Sequence, residues 1–190
     1  MEFAEFTRGD SPVPSEQMLE VARRTFIFRD NAELLGTERS AQKQFSQMLE
    51  EIPSTEGKLE VLRKVTEVYP EEAHFHAHLG RFCGLNNRFD EALQAVDRAL
   101  QLDDRDTVLH HMRGMTLRYQ VYDLIAKDAP LGEVLTLTKE ADESFAEARR
   151  LNPENEHGYI SEVQLLIKIL DYGAKRTKRT VPELLLDSGT

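Results

Sequence analysis

The chain has 190 residues, of which 40% are hydrophobic and 31% charged, and its formal net charge is −10. That length suits one domain or one segment of a repeat array, with enough apolar residues for a packed core. The negative balance has the wrong sign for a general binder of nucleic acid or of acidic membranes. The single cysteine, Cys83, rules out an internal disulfide framework and fits a reducing compartment.

Met1–Pro14 carries acids, two prolines and no apolar run, so residues 1–14 are expected to be a flexible lead rather than a signal peptide. Ser15 is placed to cap a helix running to about Phe28, with Met18, Leu19, Val21, Ala22 and Phe26 on one face. Residues 15–37 are expected to form an N-terminal capping helix. The helical period returns from about Glu38 to Glu51, where Phe45, Met48, Leu49 and Ile52 mark a buried stripe. Pro53–Gly57 predicts a turn. A helix over Lys58–Val68 follows and stops at Tyr69-Pro70, since proline cannot continue it.

The next segment carries the strongest signal. Ala73–Asp106 holds His76, two residues, Leu79-Gly80, two residues, Cys83, and then Ala92, three residues, Val96, two residues, Ala99. Helices are expected over about Glu72–Leu85 and Phe89–Leu102, with Asn86-Asn87 as the turn. Gly114 lies 34 residues after Gly80, and His110 lies 34 after His76. Counting back by the same step from Gly80 reaches Ser46, another small residue. The second half of the third unit, Ala141, three residues, Phe145, two residues, Ala148, arrives late: one step on from Ala92 is position 126, not 141. The turn signal Asp128–Gly132 sits within the extra length. Two lengthened helices are therefore expected, Thr107–Lys127 and about Glu133–Leu151, each gaining about two turns.

Asn155–Tyr172 predicts a further helix, apolar nearly all round, which argues for burial on both sides. Gly173–Thr180 is basic and predicts a break. Val181–Leu186 is a short apolar piece, and Asp187–Thr190 reads as an end made by truncation. The expected organisation is thus a repeat domain over 38–172 and a basic linker and tail over 173–190.

These spacings resemble the tetratricopeptide (TPR) repeat, with its W-x2-L-G-x2-Y and A-x3-F pattern at a 34-residue period. His76, His110 and Cys83 replace aromatic residues of that pattern. The resemblance implies an all-α, right-handed α-solenoid of about three to four helical hairpins, the third with lengthened helices. It also implies a non-catalytic module that holds a peptide or protein surface in a concave groove lined by the first helix of each repeat. Mapped onto this chain, that groove includes Lys43, Gln47, His78, Arg81, His111, Met115, Arg118 and Tyr119. Arg81 and Arg118 are candidates to grip carboxylates in a bidentate fork. The chaperone-binding subclass resembles this chain only at Lys43: His78, Val108 and Met112 stand where its clamp needs Asn, Lys and Arg. The phrases HAHLGRF, HHMRGMTLR and HGYISEVQLLIKIL are similar to the repeat region of STAND-type P-loop defence ATPases. That similarity implies a sensor or regulatory segment of a larger multidomain protein, making intramolecular contacts with its other domains.

No phosphate loop, nucleophile elbow or metal-ligand spacing is present, so no enzyme activity, cofactor or metal is expected. His74 and His78 share a helical face, but tetrahedral zinc would want further ligands. Cys83 occupies a packing position. Two alternatives remain open: an RNA-binding accessory module using Arg81, Arg118 and the basic run 175–179, and a homo-oligomerisation scaffold built on helix 155–172. No apolar run approaches the ~18 residues of a membrane span, and a cytoplasmic setting is expected.

Overall fold

A computed structural model describes residues 35–154 and 156–187. The expected lead and most of the capping helix, residues 1–34, lie outside the described residues. Everything described is helix or short turn: α1 (Leu35–Glu50), α2 (Thr55–Val68), α3 (Ala73–Leu85), α4 (Phe89–Leu102), α5 (Thr107–Ala126), α6 (Leu131–Leu151), α7 (Glu156–Thr177) and α8 (Val181–Asp187). The class is all-α.

Three helix starts carry a side-chain cap. Ser54 caps α2 by accepting the Gly57 N–H at 3.0 Å. Glu72 accepts the His74 N–H at 3.3 Å to cap α3, and Asp106 accepts the Val108 N–H at 2.7 Å to cap α5. A carboxylate at that position satisfies an orphan donor and meets the positive end of the helix dipole. The α3–α4 turn places Asn87 in the left-handed region (φ 59°), and the α5–α6 turn does the same with Asp128 (φ 54°). Asparagine and aspartate tolerate that conformation better than other side-chain-bearing residues.

Three expected element boundaries need correction. Pro53–Gly57 is not wholly turn, because the Ser54 cap starts α2 at Thr55 and puts Gly57 in its first turn. Gly132 likewise lies inside α6, which begins just after Pro130. Within the expected linker and tail, residues 173–177 and 181–187 are helical. Helix α7 continues through buried Gly173 to Thr177, and α8 packs back on it with the Leu184 side chain beside Gly173.

From α2 onward every helix packs on the next, and α3 touches α5 as α5 touches α7. Phe45 of α1 meets Phe75 of α3, ring centroids 4.8 Å apart, so α1 joins the same line. Alternate helices α1, α3, α5 and α7 thus lie side by side. One apolar cluster runs from Phe45 and Leu49 through Leu62, Phe75 and Phe82 to Ala92. A second joins Leu117, Val121, Phe145, Leu165 and Ile169. Ala77, Ala99 and Leu109 form a smaller cluster between them, where small side chains let three helices approach.

The face of α7 opposite its core contacts overturns the expectation of two-sided burial. Ser161, Leu165, Ile169 and Tyr172 are buried, whereas Ile160 is 48%, Val163 52% and Ile167 62% exposed. No helix of the described residues is long and apolar enough to cross a membrane.

Candidate functional site

Between α3 and α5 the packing leaves a cleft of about 850 Å³. Ala73, Ala77, His78 and Arg81 line it from α3, Val108, Leu109 and Met112 from α5, and the end of α4 closes one side. Small residues on α3 create the space. The polar lining is mainly acidic, Glu71, Glu72, Asp103 and Asp106 beside the Arg81 guanidinium, with Glu71 also paired to Arg98 at 3.0 Å. Two of those carboxylates, Glu72 and Asp106, are the caps of α3 and α5, set one repeat step apart. These acids are missing from the groove that the repeat pattern maps onto the chain. Their recurrence at the repeat step was the signal that could have found them.

The eight expected groove residues fall into three groups. His78 and Arg81 line the cleft. Lys43 and Gln47 line a separate, shallower depression on α1 of about 550 Å³. His111, Met115, Arg118 and Tyr119 lie along α5. His111 and Arg118 are bonded to α7, and Met115 packs against the second core.

The two arginines differ sharply. Arg81 Nη1 donates to Glu50 Oε1 at 3.0 Å, and both side chains are about half exposed. Arg118 is buried, donates through Nη1 to Gln164 Oε1 at 2.6 Å, and its Nε is enclosed without a partner. Arg118 therefore works as a tie between α5 and α7, and the expected carboxylate grip does not extend to it. The basic run is also engaged. Lys175 pairs with Asp171 at 2.7 Å, Arg176 with Asp128 at 2.8 Å, and Arg179 donates to the Glu183 carbonyl at 3.2 Å.

Histidines mark the seams between alternate helices. His74 and His78 stack edge-on with ring centroids 4.5 Å apart. Both approach Ser46 Oγ across the α1–α3 seam, at 3.4 and 3.0 Å. Burial pushes His78 down to about 3. Across the α5–α7 seam His111 Nε2 lies 3.0 Å from Ser161 Oγ, and burial, then His157, lower its pKa too. His76 and His110 play matching local roles, each ring nitrogen within 2.9 and 2.8 Å of the carbonyl of Pro70 and Asp104 respectively. Those pairs also sit one repeat step apart.

Among the described residues no three His, Cys, Asp or Glu side chains gather as metal ligands. Cys83 is fully buried, and desolvation, then nearby Glu91, pushes its thiol up to about 12, which suits a packing residue rather than a nucleophile.

No protein-family model matches this chain, and none of the curated proteins is significantly similar to it.

Proposed function

We propose that this protein is a non-catalytic, protein-binding module of the tetratricopeptide type, a short right-handed α-solenoid that serves as a sensor or regulatory segment of a larger protein. Two features support the repeat reading. Alternate helices lie side by side, and glycines, caps and histidine–carbonyl bonds recur at a 34-residue step.

The observation that carries the binding reading is the acid-lined cleft between α3 and α5. Its chemistry refines what the groove would hold. A peptide bringing Lys or Arg side chains, or free backbone N–H groups, would meet Asp103 and Asp106 and compete with Arg98 for Glu71, with Val108 and Met112 offering apolar contact. An acidic peptide would meet one guanidinium already shared with Glu50. The RNA-binding alternative rests on cations that are buried or paired, and the cleft gives it no support.

Binding to a set of labelled basic, neutral and acidic peptides tests this reading. The wild-type chain should favour the basic members, and Glu71→Lys/Asp103→Lys should reverse that order with helicity unchanged. Equal binding of all three classes, or an order indifferent to the charge reversal, sinks the cleft hypothesis. Arg118→Glu is unsuitable for this purpose, because it would break the α5–α7 contact.

A further inference from the structure

The exposed stripe on α7 consists of Tyr159, Ile160, Val163, Leu166 and Ile167. These positions repeat at three and four residues, so they form one continuous ridge along the helix. The ridge lies opposite the side that α7 buries through Ser161, Leu165 and Ile169. All five side chains are between 45% and 62% exposed. Isolated surface apolar residues need no explanation, but a contiguous ridge does.

We infer that this ridge is a self-association surface on which α7 pairs antiparallel with α7 of a second copy. The stripe is its own complement. With Val163 on the two-fold axis, Tyr159 faces Ile167 of the partner, and Ile160 faces Leu166. A two-fold interface needs that self-matching.

Charge supports the same occupant. The chain carries −10 overall, so two copies repel almost anywhere they meet. Between Glu156 and Thr177, however, three carboxylates (Glu156, Glu162, Asp171) balance three cations (Lys168, Lys175, Arg176). Glu162 is paired with Arg149, Lys175 with Asp171 and Arg176 with Asp128, so the ridge brings little like charge against a second copy. Antiparallel pairing also opposes the two helix dipoles, whereas parallel pairing aligns them.

Area sets the strength. Five half-exposed large side chains present on the order of 80 Å² each, or about 400 Å² of apolar surface per copy. Specific interfaces begin near ~600 Å² per partner, so the ridge needs its polar flanks to join the contact. A ridge of that size fits a weak, reversible dimer rather than an obligate one.

Sedimentation equilibrium of the full chain between ~1 and ~200 µM should show a monomer–dimer equilibrium. Ile160→Glu/Ile167→Glu should raise the dissociation constant at least ~30-fold while the circular dichroism spectrum stays unchanged. Because Cys83 is buried, added cysteines report alone. Val163→Cys should form a disulfide-linked dimer under mild oxidation, and Leu135→Cys on exposed α6 should not. Tyr159→Cys should crosslink to Ile167→Cys in a mixture, and self-crosslinking of Tyr159→Cys in its place overturns the antiparallel arrangement. A wild-type monomer at every concentration, with Val163→Cys uncrosslinked, overturns the proposal. In that monomer, rapid labelling of Val163→Cys would assign the ridge to a different partner, and slow labelling to another segment of this chain. If the double glutamate variant loses helix, the cysteine readout decides.

Discussion

Gly114 lies under the ring of Phe145: a Cβ built on Gly114 would stand 2.5 Å from Cε1 and 2.6 Å from Cδ1. Gly80, one repeat step earlier, meets the Val96 side chain in the same manner. Val96 and Phe145 each follow a buried alanine by four residues. Each hairpin therefore fits a bulky residue on one helix into the gap left by glycine on the other.

That fit predicts the sign of Gly114→Ala. Alanine gains about 1 kcal/mol of helix propensity. Overpacking a closed core costs about 1–3 kcal/mol, and fully buried Phe145 has nowhere to retreat. Three Phe145 ring atoms within 3.0 Å put that cost in the upper half of its range, so net destabilisation of about 1–2 kcal/mol is expected from urea unfolding. Phe145→Leu should relieve part of it, so the double variant loses less than the two single losses added together. A Gly114→Ala chain as stable as wild type would contradict the close approach.

Gly132 is the internal control. It sits in the first turn of α6 with nothing within 4 Å of a built Cβ. Gly132→Ala should therefore stabilise the chain by about 0.5–1 kcal/mol, through propensity and the unfolded-state entropy of glycine. Opposite signs for the same substitution at Gly114 and Gly132 in one melting series would separate packing from propensity.

The repeat step made much of this legible before any coordinates. Gly80 and Gly114, His76 and His110, and Ala92 and Ala141 stand in corresponding places, and the surplus chain between Gly114 and Ala141 does lengthen α5 and α6. Periodicity names which residues share a face, but it does not say which neighbour covers that face. Arg118 and the α7 ridge were misjudged for that reason. Arg118 looked like a surface cation until α7 lay across it, and the ridge looked buried because no covering helix could be ruled out. The break expected over the basic stretch Gly173–Thr180 fails at its start, where α8 packs against Gly173 and α7 continues to Thr177.

Arg118 and Arg81 should behave differently on truncation. Arg118 ties α5 to Gln164 and to the Ser161 carbonyl from a buried position. Arg118→Ala leaves a gap and removes the donor to the Ser161 carbonyl, while water can replace it at exposed Gln164, and a loss of about 1–2 kcal/mol is expected. Arg81 makes one half-exposed ion pair with Glu50, so Arg81→Ala should change stability by less than about 1 kcal/mol. Denaturant midpoints of the two variants measure this, and comparable losses would mean that Arg118 is not the tie described here.

Acid should loosen the fold before the carboxylates titrate. In the folded chain burial takes His78 to about 3, while an unfolded histidine titrates near ~6.5. The folded value is the lower one, so the native state refuses a proton that the unfolded chain accepts. The stability tied to neutral His78 is fully present above pH ~6.5 and is lost progressively as pH falls from there toward 3. The slope is at most ~1.4 kcal/mol per pH unit for each histidine. His111 and His76, both lowered chiefly by burial, act in the same direction. Hydrogen bonds from Lys58 and Arg63 hold Glu50 and Glu91 below the usual carboxylate range, so what they contribute is lost only at lower pH. Glu162, raised by burial and by Asp142, opposes the histidines in part. A urea midpoint lower at pH 5 than at pH 7.5 is expected, and His78→Asn, which can keep a bond to Ser46, should flatten that difference. Equal midpoints in the wild-type chain, or an unchanged difference in the variant, would remove the α1–α3 histidine seam as the cause.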